Sequence, residues 1–181
     1  MASKKVFTVP FRRKREGKTD YKRRLSLLKS KSLRLVIRKS NKHIVAQIIK
    51  YADQGDVVIK AAHSIELQRY GWKFNTGNLS AAYLTGLLLG TKSSNEEVII
   101  DFGLQTPVKG SRIFAVVKGA IDSGLKIKSS EEIMPTEDRI SGKHIKDKKV
   151  VESFEKTKSN ILSGKKVSDV KNVRRKTTRK K

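Results

Sequence analysis

The sequence predicts an α/β protein, a single mixed-sheet domain with helices packed on it, carried between an extended basic N-terminal arm and a basic C-terminal tail. Three observations predict it. Residues 33 to 62 contain three short apolar runs separated by turn-forming residues, the pattern of an antiparallel meander. Helical and strand patterns then alternate, which adds a crossover strand and packed helices to that meander. Finally, residues 1 to 43 hold 16 Lys/Arg and 2 acids, residues 44 to 142 hold 11 of each, and residues 143 to 181 hold 15 against 4. The net charge of +25 therefore belongs to the two ends, and the neutral middle of about a hundred residues suits one core.

The elements follow in order. Val9 to Lys18 has too little apolar content to offset its ordering entropy, so this arm is expected to be disordered alone. Thr19 and Asp20 offer cap oxygens to a short helix over Tyr21 to Lys29, with Tyr21, Leu25 and Leu28 at helical spacing. Alternation puts Leu33, Leu35 and Ile37 on one face of a first strand and Arg34, Val36 and Arg38 on the other. Lys39-Ser40-Asn41-Lys42 reads as a turn, His43 to Ile49 as a second strand, Asp53 to Asp56 as another turn, and Val57 to Ala62 as a third strand. Ser64 is expected to cap a short helix ending at Gly71. Asn78 or Ser80 opens a buried helix that Gly90 closes, whose Gly86-Leu-Leu-Leu-Gly90 face suits close packing on the sheet. Glu97 to Phe102 reads as a strand, and Ser111 as the cap of an amphipathic helix over Arg112 to Asp122. Residues 129 to 142 read as an acidic connection, residues 143 to 159 carry weak helical periodicity, and the chain beyond Ser163 reads as a tail without a fold of its own. The expected division is an arm over 1–20, an α/β domain over 21–145 and a basic extension over 146–181.

Composition removes several functions. No Cys is present, so disulfides, thiolate metal sites and thiol nucleophiles are excluded, and a reducing interior is expected. The apolar run from Leu84 to Leu89 is far short of the roughly 20 residues of a membrane span, and the start lacks a signal-peptide core. His43, His63 and His144 have no ligand-like spacing, and no Gly-x-x-x-x-Gly-Lys-Ser/Thr loop occurs. Asp101 is the one carboxylate near a strand end besides the turn acids, whereas two-metal phosphodiester chemistry needs several. The expectation is no enzyme, no cofactor, no metal, no membrane and no small-molecule substrate.

The cations carry the functional signal. Arg12, Arg13, Lys14, Arg15, Lys18, Arg23, Arg24, Arg34, Arg38, Lys39 and Lys42 crowd the arm and first hairpin, where Arg forks pair with phosphates and Lys acts as a point charge. Phe11, Tyr21 and His43 lie among them and suit stacking on unpaired bases, a mode typical of RNA. Lys109 and Arg112 stand at a predicted helix start, which attracts anions.

The segments 9–21 (Val-Pro-Phe-Arg-Arg-Lys-Arg-Glu-Gly-Lys-Thr-Asp-Tyr), 34–42 (Arg-Leu-Val-Ile-Arg-Lys-Ser-Asn-Lys), 70–73 (Tyr-Gly-Trp-Lys), 76–78 (Thr-Gly-Asn), 81–88 (Ala-Ala-Tyr-Leu-Thr-Gly-Leu-Leu) and 130–135 (Ser-Glu-Glu-Ile-Met-Pro) resemble the archaeal L18 family of large-subunit ribosomal proteins, related to the eukaryotic large-subunit proteins numbered five. The resemblance spans about residues 6 to 145. It implies a ribonuclease H-like topology without that enzyme's carboxylates. It also implies a structural place in the central protuberance, where 5S rRNA is joined to the large-subunit rRNA beside neighbouring ribosomal proteins. On that basis the expected RNA contacts are Phe11 to Lys18, Tyr21, Arg34, Arg38, Lys39, Ser40, Asn41 and Lys42, with Arg23, Arg24, His43, Lys109 and Arg112 as further candidates. A nuclease-like or general RNA-binding protein on the same fold is the alternative, and a polybasic membrane-surface protein ranks last. Replacing Arg34 and Arg38 with Ala is expected to weaken RNA binding and leave the fold intact.

Overall fold

In the computed structural model, which describes residues 8–93, 96–145 and 148–167, strands β1 (Leu33–Lys39), β2 (Ile44–Lys50), β3 (Val57–His63) and β4 (Val98–Asp101) form one sheet in the order β3-β2-β1-β4. The β1/β2 and β2/β3 pairs are antiparallel, with an irregularity at Ile48/Ile49, while β4 runs parallel to β1 from Leu33↔Val98 to Val36↔Asp101. A parallel neighbour cannot be reached by a tight hairpin. The crossover is a 3₁₀ turn, Ser64–Tyr70, followed by helix α3 (Leu79–Lys92). The expected mixed α/β sheet is present.

Period-two alternation decides the two faces of the sheet. Leu35, Ile37, Ile44, Ala46 and Ile48 are fully buried and join α3 and helix α4 (Arg112–Asp122) in one apolar core. Helix α3 is apolar nearly all round, and every residue from Ser80 to Gly90 is buried. It runs past Gly90 to Lys92, so Gly90 does not close it. The glycines serve packing instead. A Cβ on Gly86 would collide with the Val116 carbonyl of α4, one on Gly90 with Ser123, and one on Gly119 with the Tyr83 carbonyl of α3. The small-residue face therefore seats α4, not the sheet. Tyr83 adds a polar tie by donating from its hydroxyl to Asp122 Oδ2 at 2.7 Å, and burial together with that carboxylate pushes the phenol's pKa up.

Local caps agree with expectation in part. Asp20 Oδ1 accepts from the Lys22 and Arg23 amides to open α2 (Tyr21–Lys29), and Asn78 Oδ1 accepts from Ala81 N to open α3. Ser64 does not cap the turn it begins. His63 holds the cap position with a reciprocal Glu66 contact, while Ser64 Oγ accepts from Ile44 N across the sheet. Ser111 occupies the N-cap position of α4 but makes no capping bond.

The connection over 129–142 contains a 3₁₀ turn at Glu131–Ile133 and helix α5 (Glu137–Ser141). The weak periodicity after it is helix α6 (Lys148–Leu162), whose Val150, Phe154 and Ile161 enter the same core. The end of the described chain is tied back through Val167 N donating to the Arg69 carbonyl at 2.8 Å. The expected tail from residue 168 onward lies outside the described residues. The arm departs from expectation: Arg12–Arg15 forms a single turn, α1, where Arg12 and Glu16 pair at 2.7 Å four residues apart and Gly17 ends the turn at φ +61°.

Gly86→Val forces α3 away from α4, and overpacking of this kind costs about 1–3 kcal/mol or more. Urea unfolding should give a clearly lower midpoint for it, while Ser26→Ala on the exposed surface of α2 should stay within about 0.5 kcal/mol of the unmodified protein.

Candidate nucleic-acid interface

The sheet face turned away from α3 and α4 carries Arg34, Val36 and Arg38 of β1 with Gln47 and Ile49 of β2. Helix α2 and the arm lie over it, leaving a cleft of about 530 Å³ between them. Helix α2 buries no residue, and Leu25, expected on its packing face, is 58% exposed. Guanidinium groups hold it down instead. Arg23 Nη1 donates to the Gly103 carbonyl at 3.1 Å and its guanidinium lies 5.9 Å from the Phe102 ring, while Arg24 Nη2 meets Asp56 Oδ2 at 2.9 Å.

Arg34 is the innermost cation. It is 1% exposed, with Nη1 at 3.1 Å from Asp101 Oδ2 and Nη2 at 2.8 Å from Asp56 Oδ2. This corrects the expectation that Arg34 is a surface cation replaceable without harm to the fold. Alternation does place it opposite Leu35, but that face is roofed here and two carboxylates converge on the guanidinium. Burial alone would raise the Asp56 carboxyl, yet hydrogen bonds from Arg34 and Arg24 outweigh it and hold the group below the usual carboxylate range.

Arg38 is different, because its Nη1 finds only carbonyls, Ile37 O at 3.1 Å and Asp101 O at 3.4 Å. Burial lowers its guanidinium from the ordinary value; nearby Asp101 opposes this, and Arg34 and Arg13 reinforce it. Gly103 makes the position available. It sits at φ +61°, donates its amide to Asp101 Oδ1 at 2.8 Å, and a Cβ there would press on the Arg38 guanidinium. With Asp20 engaged in capping α2 and Asp56 and Asp101 engaged by Arg34, the cleft keeps an excess of positive charge from Arg13, Lys18, Arg23 and Arg38.

The second cationic locus is the β1–β2 turn, one residue beyond Arg38. Ser40 Oγ accepts from His43 N and donates to His43 O, both at 2.9 Å, so this hydroxyl shapes the turn. Thr76 Oγ1 donates to the Lys42 carbonyl at 2.8 Å, and Gly77 lets the turn approach so closely that a Cβ would meet the Asn41 carbonyl at 2.7 Å. Arg112 Nη1 donates to Gly77 O at 2.7 Å and reaches Ser40 O at 3.5 Å. These contacts leave the side chains of Lys39, Asn41 and Lys42 exposed at a braced tip, with Lys109 exposed in the loop before α4.

The expected contact residues thus separate into groups. Arg12, Arg13, Lys14, Arg15 and Lys18 are exposed on the arm, where Arg13 Nε donates to Thr19 Oγ1 at 2.8 Å and Lys18 pairs with Glu16 at 2.7 Å. Phe11 is 72% exposed and meets the Tyr21 ring at 5.2 Å. His43 is not a free ring: its Nδ1 lies 3.0 Å from Thr76 Oγ1 and it packs 5.3 Å from His63. Gln47, Asp56 and Gly103 went unnoticed in the sequence. Asp56 looked like turn punctuation, and only the register linking β1 to β4 and the turn before β3 brings it to Arg34.

A braced, basic hairpin beside a cationic cleft on an α/β sheet defines a nucleic-acid-binding protein. Residues 5–97, just over half of the 181, match the family described as ribosomal large subunit proteins 60S L5 and 50S L18, and the chain belongs to that family. It is a large-subunit ribosomal protein, an RNA-binding member of a ribonucleoprotein particle, and its family places it with the ribosome in the cytoplasm. The match takes in the arm, α2, the β1–β2 hairpin and α3, and ends before Lys109 and Arg112.

Arg34→Ala leaves Asp101 without its buried cation and Asp56 with Arg24 alone, and breaking a buried pair in this way costs about 3–5 kcal/mol. Arg38→Ala should cost under about 1 kcal/mol, because its partners are carbonyls at a solvent-reachable edge. Thermal melts of the two variants check this. Asp56 contributes stability above the ordinary carboxylate pKa and loses it as pH falls through its depressed value. Acid unfolding below about pH 4 should therefore be shallower in Asp56→Asn, which starts from a lower stability at pH 7.

Proposed function

We propose that the protein binds 5S rRNA and attaches it to the large rRNA in the central protuberance of the large subunit, as a structural component. The observation that carries this reading is the continuity of the cationic cleft with the hairpin tip along β1, from Arg38 to Lys39 and Lys42. Phosphates bound to Arg13, Lys18, Arg23 and Arg38 would lie next to those bound by the tip, with the arm residues Arg12, Lys14 and Arg15 on the same RNA. The arm over 1–20 and the extension over 146–181 flank the 21–145 domain in this reading, and their net charge comes to rest on rRNA. The ribonuclease H-like topology that the resemblance implies belongs to the same proposal, and the sheet order with a parallel β1/β4 pair supports it.

A nuclease on the same fold would need carboxylates free to hold divalent metal. Asp56 and Asp101 instead sit about a guanidinium, and no group of three or more His, Cys, Asp or Glu suited to a metal occurs among the described residues. Incubation of labelled rRNA with the protein and Mg²⁺ or Mn²⁺ should give no metal-dependent cleavage.

Neutralising about eight phosphates gives a slope of log K against log salt of roughly −6 to −7. Titrating 5S rRNA at several salt concentrations should return that slope and a preference over unrelated RNA of equal length. A near-flat dependence, or no preference, would count against the reading.

A further inference from the structure

The cleft between α2 and the sheet has features that a charged surface alone does not need. Its floor is not uniformly charged: the apolar Val36 and Ile49, 5% and 8% exposed, lie beside Arg34 and Arg38, and Gln47 stands directly across from Val36 in the β1–β2 register. Tyr21 supplies an aromatic wall, and its ring is already in contact with Phe11. The volume, about 530 Å³, falls in the range of pockets that enclose a small organic molecule, about 300–1,000 Å³. Arg34 lines this space, and its Nε is buried with neither a hydrogen-bond partner nor an ion-pair contact, while its Nη2, also without a hydrogen bond, lies 2.8 Å from Asp56 Oδ2. Cations surround the opening, yet the carboxylates inside are bound to Arg34, Arg24 and the α2 amides.

A phosphate on its own would use the rim and leave the floor, the ring and the buried donor without a role. A nucleotide uses all of them. From this geometry we infer that the cleft receives one unpaired nucleotide of the bound rRNA, its base inserted over Val36, Gln47 and Ile49 beside the Tyr21 ring and its phosphate on the rim guanidiniums of Arg23 and Arg38. Base–aromatic contact of this kind contributes about 1–3 kcal/mol per base in single-strand recognition. An unpaired base can also offer acceptor atoms on its edge to a buried donor such as Arg34 Nε. The inference rests on the RNA-binding reading and adds to it a single nucleotide held by shape, so that the cleft contributes selectivity where the arms contribute salt-dependent affinity.

Gln47→Trp tests it, because the indole fills the cleft without changing any charge, and Gln47 is only partly buried. Full-length protein is titrated with large-subunit rRNA, 5S rRNA included, and the bound RNA is probed with dimethyl sulfate and carbodiimide, which report individual unpaired bases. The expected result is binding at least tenfold weaker than the unmodified protein, an unchanged salt slope, and one unpaired base that is protected by the unmodified protein and reactive with the variant at saturation. Ser26→Ala, on the exposed surface of α2 and outside the cleft lining, should keep both affinity within about twofold and the protection. If Gln47→Trp melts early, Tyr21→Leu carries the same test: the same base should become reactive. Equal affinity and an identical protection pattern for the unmodified protein and the filled variant overturn the nucleotide site while leaving RNA binding in place. Absence of salt-dependent binding by the unmodified protein overturns the RNA reading itself.

Discussion

The interaction on which the rest of the site depends is the burial of Arg34 between Asp56 and Asp101. It does two things at once. Mechanically, it joins β1 to the end of β4 and to the turn before β3, three segments far apart in sequence, on a sheet face covered only by α2 and the arm. Electrostatically, it occupies the two carboxylates that would otherwise repel phosphate. The Arg38 guanidinium, next along the strand on the same face, then stands among carbonyls and other cations, with its charge available to an anion. A buried ion pair of this kind is weak support for overall stability, since desolvation offsets much of the attraction. Its value here lies in setting the geometry and sign of the cleft.

The two faces of the sheet follow different rules. On one, α3 and α4 interlock through Gly86, Gly90 and Gly119 so closely that neither helix can shift without a clash, which gives β1 and β2 a rigid backing. On the other, α2 buries nothing and is held by guanidinium contacts that an RNA phosphate can replace. The fold thus puts its stability on the side away from the proposed RNA surface and its replaceable contacts where RNA is proposed to lie. In the proposed reading the same division separates affinity from selectivity: counterion release along the arm and hairpin would give the first, and the shaped surface of tip and cleft the second.

The sequence made the sheet legible because β1, β2 and β3 alternate or run apolar between clear turns, and α3 is too apolar to be anything but buried. It located the cationic segments because charge density is a local property. What it could not reveal depends on register. Whether Arg34 faces solvent or carboxylates is decided by β4 lying parallel to β1 and by Asp56 folding under it, and neither partner is near Arg34 in the chain. Ser40 is expected as a contact from the family resemblance and His43 because it lies among cations; a role for both in holding the turn to itself and to Thr76 is visible only in the structure. The Gly86–Gly90 pair signalled close packing correctly and its partner incorrectly, since a small-residue face says how near a neighbour comes and not which element it is. Helix α6 was faint because its apolar residues are few, and only the side of α3 left uncovered by the sheet and α4 makes them useful.

The central claim is that the cleft and the hairpin tip form one continuous RNA surface along β1. The most direct measurement is a structure of the assembled large subunit containing this protein, resolved well enough to see side chains. The account predicts ribose-phosphate within hydrogen-bonding distance of Arg38 and Arg23 as well as of Lys39 and Lys42, on a connected path of rRNA. A subunit in which the tip meets RNA while the cleft between α2 and the sheet opens to solvent, or is closed by α2 against Asp56 with no RNA nearby, would contradict it.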